Sequence, residues 1–122
     1  MASYELSGPA DRDLTEIYVC SYRQFGELKA DDYLLALHER FAQVAEHPAI
    51  GRSIDYLRAG YFRLEHASHT IFYVRTANGI GTMRVLHERM DPDRHLWHLS
   101  ANARFAEYSS ESTRSHQRQI RD

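Results

Sequence analysis

The chain has 122 residues and a formal net charge of −2, with 43% hydrophobic and 26% charged residues, a composition typical of one globular domain. No apolar run reaches the roughly 20 residues that a membrane-spanning helix needs, and the first residues lack a signal-peptide layout, so we expect a cytoplasmic protein without a membrane partner. Cys20 is the single cysteine, which excludes an internal disulfide and a cysteine metal cluster.

Charge is distributed unevenly along the chain. Residues 1–51 carry four basic and nine acidic side chains, a net of −5, whereas residues 52–89 carry six arginines and three acidic groups, a net of +3. The basic part suggests an acidic partner that docks near it. The chain as a whole lacks the strong basicity of a dedicated nucleic-acid-binding protein, so we expect no sequence-specific nucleic-acid binding.

The N-terminal half predicts a short strand at residues 4–7 and then two helices. Ser7 and the proline at position 9 are typical of a helix start, and Gly26 ends the first helix. The second helix is predicted from about residue 28 to 47, because Pro48 cannot continue it. The short link indicates an antiparallel pair. The predicted apolar stripes are Ala10, Leu14, Ile17, Tyr18, Tyr22 and Phe25, then Tyr33, Leu34, Leu37, Phe41, Val44 and Ala45.

The middle of the chain predicts a loop at residues 50–53 and then three antiparallel strands joined by tight turns. The strands are predicted at residues 61–66, 69–75 and 80–88. The central strand contains a β-branched and aromatic run, and Asn78-Gly79 tolerates the positive φ that a hairpin turn needs. Alternation predicts one core-facing side, which includes Phe62, Leu64, Met83 and Val85.

The order of these elements predicts an α+β fold, in which a helical hairpin packs on a small antiparallel sheet. Asp91-Pro92 resembles a further helix start, which predicts a short helix to about residue 99. Polar residues dominate from Tyr108 onward. We therefore predict one domain over residues 1–107 and a flexible polar tail over residues 108–122.

The sequence gives little support to metal or nucleophilic chemistry. The best local histidine cluster, His95 and His98 near Asp91 or Glu88, lacks a paired motif such as H-E-x-x-H, so we predict no metal site and no cofactor. Neither a G-x-S-x-G elbow nor a phosphate-binding G-x-x-x-x-G-K-[ST] loop occurs. Cys20 follows apolar helix positions and is better explained by packing than by nucleophilic catalysis.

Among the candidate site residues, a basic set along the predicted sheet gives the strongest indication of a chemical role. It consists of Arg58, Arg63, Arg75, Arg84 and Arg89, with His87 and Glu65. Arginines that stabilise developing phosphate charge, beside a histidine and a glutamate as general acid and base, would suit RNA cleavage. A solvated sheet face is usually charged, however, and pairing with Glu65, Glu88 or a partner's carboxylates is the interpretation that the weak overall basicity favours.

Several short motifs occur together in a distinctive order. They include Leu6-Ser7, Asp13-Leu14, His47-Pro48-Ala49-Ile50-Gly51-Arg52, Ile71-Phe72-Tyr73 and Arg84-Val85-Leu86-His87-Glu88-Arg89-Met90-Asp91. With this order and spacing, residues 4–96 resemble the ParE toxins of the RelE/ParE superfamily of bacterial type II toxin–antitoxin systems. The resemblance also implies a helical hairpin on an antiparallel sheet.

The resemblance implies a growth-inhibiting toxin that poisons DNA gyrase and forms a hetero-oligomer with a ParD-like antitoxin, whose C-terminal segment wraps the toxin. Such a toxin acts by binding, with no catalytic residue of its own. An acidic antitoxin segment would complement the basic part of the chain. The predicted partner-binding residues are Tyr18, Leu35, Arg58, Arg63, Arg75, Arg84, His87 and Arg89.

The alternative within the same superfamily is a RelE-like toxin that cuts mRNA at the ribosome. In that case His87 is the general acid, Glu65 or Glu88 is the base, and Arg84 stabilises charge. The net negative charge, the single lysine at position 29 and the absence of a tyrosine at the end of the third strand weigh against this alternative.

Overall fold

The structure is a computed structural model that describes residues 2–88. It confirms the α+β class: two helices follow a first short strand, and four strands follow the helices. The helices are α1 (Gly8–Phe25) and α2 (Glu27–Glu46), and the strands are β1 (Ser3–Leu6), β2 (Arg52–Ser53), β3 (Tyr61–His66), β4 (His69–Thr76) and β5 (Gly79–His87). A 3₁₀ turn at Pro48–Ile50 links α2 to β2.

The two helices begin and end where the sequence predicts, to within one residue. Ser7 Oγ accepts a hydrogen bond from the Ala10 N–H at 3.0 Å, which satisfies one of the amides that a helix start leaves without a partner. The same hydroxyl donates to the Met83 carbonyl at 2.8 Å, so the cap also fastens α1 to β5. Gly26, at φ +91°, separates the helices, because glycine adopts this backbone conformation without a Cβ clash.

The five strands form one sheet in the order β1-β5-β4-β3-β2. The last four strands pair antiparallel, but β1 runs parallel to β5, from Ser3 opposite Gly79 to Leu6 opposite Thr82. The sheet is therefore mixed, and the prediction of a purely antiparallel sheet is wrong at this edge. A parallel neighbour requires a long crossover, which the helical hairpin and the intervening strands provide.

Both helices pack on one face of the sheet, which we call the helical face. Phe62 and Leu64 pack against this core as predicted, and the Phe62 and Tyr73 rings stack with centroids 5.4 Å apart. The buried side chains between helices and sheet are Leu6, Ala10, Leu14, Ile17, Leu37, Phe41, Val44, Ala45, Ile71, Tyr73, Ile80 and Val85.

The other side of the sheet, which we call the opposite face, has an apolar cluster of its own. Its buried members are Ile54, Tyr61, Phe72, Val74, Met83 and Leu86. The prediction that this side is a solvated charged face is therefore wrong at its centre. Tyr61, predicted on the wetter side, is fully buried. Alternation in the sequence shows which residues share a face, but it does not show that both faces are covered.

A β-bulge in β5 changes which side chains share a face. Tyr73 lies opposite Thr82 and Phe72 opposite Arg84, so Met83 is an extra residue between them. Met83 therefore joins the opposite face while Val85 stays on the helical face. The prediction that these two residues share one side is wrong because strict alternation does not survive an inserted residue.

The segment after α2 is more regular than the predicted loop, since it contains the 3₁₀ turn and β2. The Tyr73 hydroxyl holds it in place by donating to the Pro48 carbonyl at 2.7 Å and accepting the Gly51 N–H at 3.0 Å. A Cβ atom at Gly51 would overlap the Tyr73 hydroxyl. The close approach of this segment to β4 therefore depends on glycine.

Several predictions fall outside residues 2–88: the helix after Asp91, the histidines at positions 95 and 98, the domain boundary after residue 107, the polar tail and the position of Arg89. Within the described part of the chain, neither helix is sufficiently long and apolar to span a bilayer.

Candidate functional site

Asp13 fastens α1 to the edge of β5. Its Oδ2 accepts hydrogen bonds from Arg84 Nε at 2.7 Å and from the Val85 N–H at 2.9 Å, and its Oδ1 accepts from Arg84 Nη2 at 2.9 Å. Asp13 is 8% exposed, so solvent screens this bidentate pair only weakly. The hydrogen bonds from Arg84 to Asp13 raise the pKa of Arg84, against burial, which lowers it. Arg84 thus has a structural partner inside the molecule.

A cleft of about 580 Å³ opens beside this pair, and we call it the α1–β5 cleft. Its floor and walls come from α1, the first turns of α2, the β3–β4 turn and the end of β5. Its lining includes Ile17, Phe25, Lys29, His69, Val85 and His87. Of the predicted site residues, His87 lines this cleft. An apolar concave surface with a few polar groups is the usual form of a binding site.

Three histidines and a tyrosine gather at one end of the cleft, and we call His66, His69 and His87 the imidazole cluster. The His69 and His87 rings meet edge to face with centroids 5.5 Å apart. The Tyr33 hydroxyl lies 2.7 Å from His69 Nδ1, and its ring centroid is 5.7 Å from that of His66. The sequence shows each histidine, but only the β3–β4 and β4–β5 pairings bring them together.

Burial lowers the pKa of His69, and the neighbouring His87 and His66 lower it further, whereas Glu88 and Asp13 raise it. Burial also lowers the pKa of His66, with a contribution from Arg40. A histidine with a lowered pKa is neutral at pH 7. His69 and His66 are therefore uncharged at that pH.

On the opposite face, charged side chains surround the apolar cluster. Arg63 Nε donates to Glu65 Oε2 at 3.0 Å, and Arg52 Nη2 lies 3.8 Å from Glu65 Oε1. The Arg63 guanidinium stands 5.7 Å from the Phe72 ring centroid. Exposed pairs of this kind contribute little stability, roughly 0–1 kcal/mol, so their side chains can exchange partners at small cost.

Arg58 and Arg84 lie near the buried Tyr61. Burial raises the pKa of Tyr61, and the charges of Arg58 and Arg84 lower it. Arg58, Arg63 and Arg84 thus form a basic border around the opposite-face cluster. We call these three residues the arginine border. Arg75 does not belong to it, because Arg75 follows Val74 in β4 and so falls on the helical face, where its charge lowers the pKa of Tyr73.

Of the residues of the RNA-cleavage alternative, His87 and Glu65 are not brought together. His87 lies in the α1–β5 cleft on the helical face, whereas Glu65 lies on the opposite face beside Arg63. Glu88 follows His87 directly, and its N–H donates to the Ser68 carbonyl at 2.9 Å. The third member, Arg84, is held by Asp13.

The helical hairpin carries exposed apolar side chains. Tyr22 and Phe25 are 49% and 58% exposed, although the sequence predicts them on the core stripe of α1. The buried positions of α1 end at Ile17, which shows that its last two turns lie beyond the sheet core. No local pattern in the sequence could reveal where a helix leaves the core.

The two predicted partner-binding residues of the hairpin differ in environment. The Tyr18 hydroxyl donates to Asp31 Oδ1 at 2.7 Å and so links α1 to α2, and that side chain is half-buried. Leu35 is 62% exposed on α2. An exposed apolar side chain of this kind is available to a partner, although a single one is common on any protein surface.

Comparison with known proteins decides the family. A sequence profile described as "ParE toxin of type II toxin-antitoxin system, parDE" matches residues 4–92. The chain belongs to the ParE toxin family. It is 45% identical over 94 residues to toxin ParE1 of Mycobacterium tuberculosis strain H37Rv, an alignment that covers 76% of this chain and 96% of that toxin. It is 38% identical over 96 residues to toxin ParE1 of Caulobacter vibrioides, with 79% of this chain and 99% of that toxin covered.

A solved structure described as "Chromosomal ParDE TA system from P. aeruginosa" has the ParE-like fold found here. The TM-score is 0.60 at 19% identity, and the match covers 71% of this chain and 96% of that chain. At this identity the similarity supports the fold alone. The profile match and the two ParE1 toxins confirm the interpretation of the sequence as a ParE-like toxin. Among residues 2–88, no group of three or more histidine, cysteine, aspartate or glutamate side chains is arranged to hold a metal ion.

Proposed function

We propose that this ParE-family protein arrests growth by binding and poisoning DNA gyrase, and that a ParD-like antitoxin neutralises it. The observation that carries the proposal is the similarity to ParE toxins over residues 4–92. The site geometry supports a mechanism by binding rather than by RNA cleavage. His87 and Glu65 lie on opposite faces, and Arg84 is already paired with Asp13.

The partner surfaces we propose are the arginine border, the α1–β5 cleft with His87, and the outer side of the helical hairpin, with the half-buried Tyr18 and the exposed Leu35. Arg75 and Arg89 complete the proposed set, the first on the helical face and the second beyond the described residues. Cationic rims steer an acidic partner, while the apolar surfaces supply the area that a stable complex buries.

The arginine border can be tested without breaking the fold. Arg84→Ala is unsuitable because it removes the charged partner of the buried Asp13 carboxylate, so the test uses Arg58→Ala with Arg63→Ala. We expect antitoxin affinity to fall by roughly tenfold or more, which is equivalent to about 1.4 kcal/mol or more. Arg12→Ala is the control, because it removes a positive charge from an exposed position of α1 that does not belong to the proposed surfaces. An unchanged affinity of the double variant would contradict the assignment of the arginine border.

The function itself is tested by two assays run side by side on the purified protein. The first measures DNA supercoiling by gyrase and the accumulation of cleaved DNA, and the second measures cleavage of mRNA on programmed ribosomes. We expect lost supercoiling, accumulated cleaved DNA and intact mRNA. Codon-specific mRNA cuts with gyrase unaffected would replace the proposal by the RelE-like alternative.

A further inference from the structure

The α1–β5 cleft combines apolar walls with groups that carry, or can acquire, positive charge. Ile17, Phe25 and Val85 supply apolar surface, and Lys29, His69 and His87 supply the positive or protonatable groups. Of the carboxylates in its lining, Asp13 is already occupied by Arg84 and the Val85 N–H, which leaves Glu16. The cleft therefore fits a segment that is apolar on one side and carries carboxylates on the other, and we assign it to the acidic segment of the antitoxin.

We propose that antitoxin binding in the α1–β5 cleft is coupled to proton uptake by His69, so that acidification tightens the complex. This inference rests on the proposed function, since the antitoxin is its partner. Under this inference the affinity of the toxin for the antitoxin depends on pH between about 5.5 and 7.5, the range in which imidazoles titrate.

The surroundings of His69 explain the direction of the effect. In the free toxin a proton on this ring is disfavoured by burial and by the two neighbouring imidazoles. A carboxylate placed within roughly 4–6 Å favours the charged form of a histidine. An acidic segment in the cleft thus raises the pKa of His69, and by linkage a lower pH strengthens the binding of that segment.

Groups on every neighbouring element take part in this balance. Each element that packs around His69 contributes at least one titratable or charged side chain: Asp13 and Glu16 from α1, Lys29, Tyr33 and Arg40 from α2, His66 at the end of β3, His87 from β5 and Glu88 just after it. Glu88 and Asp13 already stabilise a proton on His69, but the paired state of Asp13 limits its influence. An additional carboxylate from the partner favours the protonated form of His69.

The test measures the dissociation constant of toxin and cognate antitoxin by titration calorimetry at pH 7.5, 6.5 and 5.5. Two buffers of different ionisation enthalpy give the number of protons taken up. We expect roughly tenfold tighter binding at pH 5.5 than at pH 7.5, equivalent to one pKa unit on one imidazole. We expect protons to be taken up on binding. The antitoxin carboxylates remain ionised throughout this pH range, so they do not account for the uptake.

Variants identify the groups responsible. The variant His69→Gln should bind with little pH dependence, whereas His47→Gln, at the exposed end of α2, should keep the wild-type dependence. If His69→Gln does not fold, His69→Asn should show the same reduction in pH dependence and in proton uptake. Affinity of the wild type that is constant or weaker at low pH, or a pH dependence retained by the His69 variant, would overturn the inference. Absence of antitoxin binding at every pH would overturn the proposed function as well.

Discussion

At the scale of single residues, Asp13 combines several structural tasks in one carboxylate. It accepts two hydrogen bonds from the Arg84 guanidinium and satisfies the N–H of Val85 at the edge of β5. The sequence indicates only that a carboxylate near a helix start is favourable there. The tertiary contact explains why this position is buried while other acidic residues of α1, such as Glu16, are exposed.

Removing that carboxylate should be costly. Asp13→Ala removes the buried carboxylate that accepts hydrogen bonds from Arg84 and from the Val85 N–H, so we expect a loss of about 3–5 kcal/mol in the free energy of unfolding. Urea denaturation followed by circular dichroism measures it. Glu39→Ala, an exposed acidic site on α2, should change stability by less than about 0.5 kcal/mol. A loss below about 1 kcal/mol for Asp13→Ala would show that the pair does not hold α1 to the sheet.

The Tyr73 hydroxyl is a second residue whose role is visible only in the fold. Tyr73→Phe removes the two hydrogen bonds to Pro48 and Gly51, and we expect a loss of about 1–3 kcal/mol of stability. Thermal unfolding measures this, with Tyr56→Phe as the control at a side chain that is 85% exposed. Equal melting temperatures for the two variants would mean that the Tyr73 hydroxyl contributes nothing to the position of this segment.

At the scale of elements, the parallel pairing of β1 with β5 depends on a glycine. A Cβ atom at Gly79 would overlap the backbone carbonyl of Ser3, which cannot move away without separating the strands. We expect Gly79→Ala to accelerate hydrogen exchange of the β1 amides and leave α2 unchanged. Gly26→Ala is the matched comparison, since a Cβ atom there meets nothing within 4 Å and only its φ of +91° is strained. Protected β1 amides in Gly79→Ala would contradict the predicted displacement.

Elements defined by local chemistry are those that the sequence predicts well. Ser7, Gly26 and Pro48 mark helix ends through capping, positive φ and the missing N–H, which are properties of the residues themselves. The parallel pairing of β1 with β5 and the β-bulge at Met83 depend on contacts between segments that are distant in the sequence. For the same reason the sequence indicates His87 as a site residue, but it does not show that His87 meets His69 or that Glu65 lies on the other face.

At the scale of the whole molecule, stability should fall on acidification in the free toxin. The pKa of His66 and of His69 is lowered by folding, so the unfolded chain binds protons more readily than the folded one as pH falls through about 6.5. The stabilising contribution of the neutral imidazoles is therefore present above pH 6.5 and is lost below it. Urea unfolding at pH 7.5 and 5.5 should show this loss, and His69→Gln should reduce it. Stability that is unchanged or higher at pH 5.5 would contradict the lowered pKa values.

This expectation has the opposite sign to the one for antitoxin binding. The free toxin should be less stable at pH 5.5, whereas its complex with the antitoxin should be tighter. A general loss of structure at low pH would weaken both, so the two measurements together separate a specific proton linkage from partial unfolding.

The central claim is that the protein acts by occupying its target and not by turnover. The most direct measurement is DNA supercoiling by a fixed amount of gyrase over time, with toxin added at concentrations below and above that of gyrase. A binding toxin predicts inhibition that reaches a plateau set by the ratio of toxin to gyrase. Inhibition that keeps deepening with time at a small fraction of the gyrase concentration would reveal turnover, and supercoiling unaffected by excess toxin would show that gyrase is not the target.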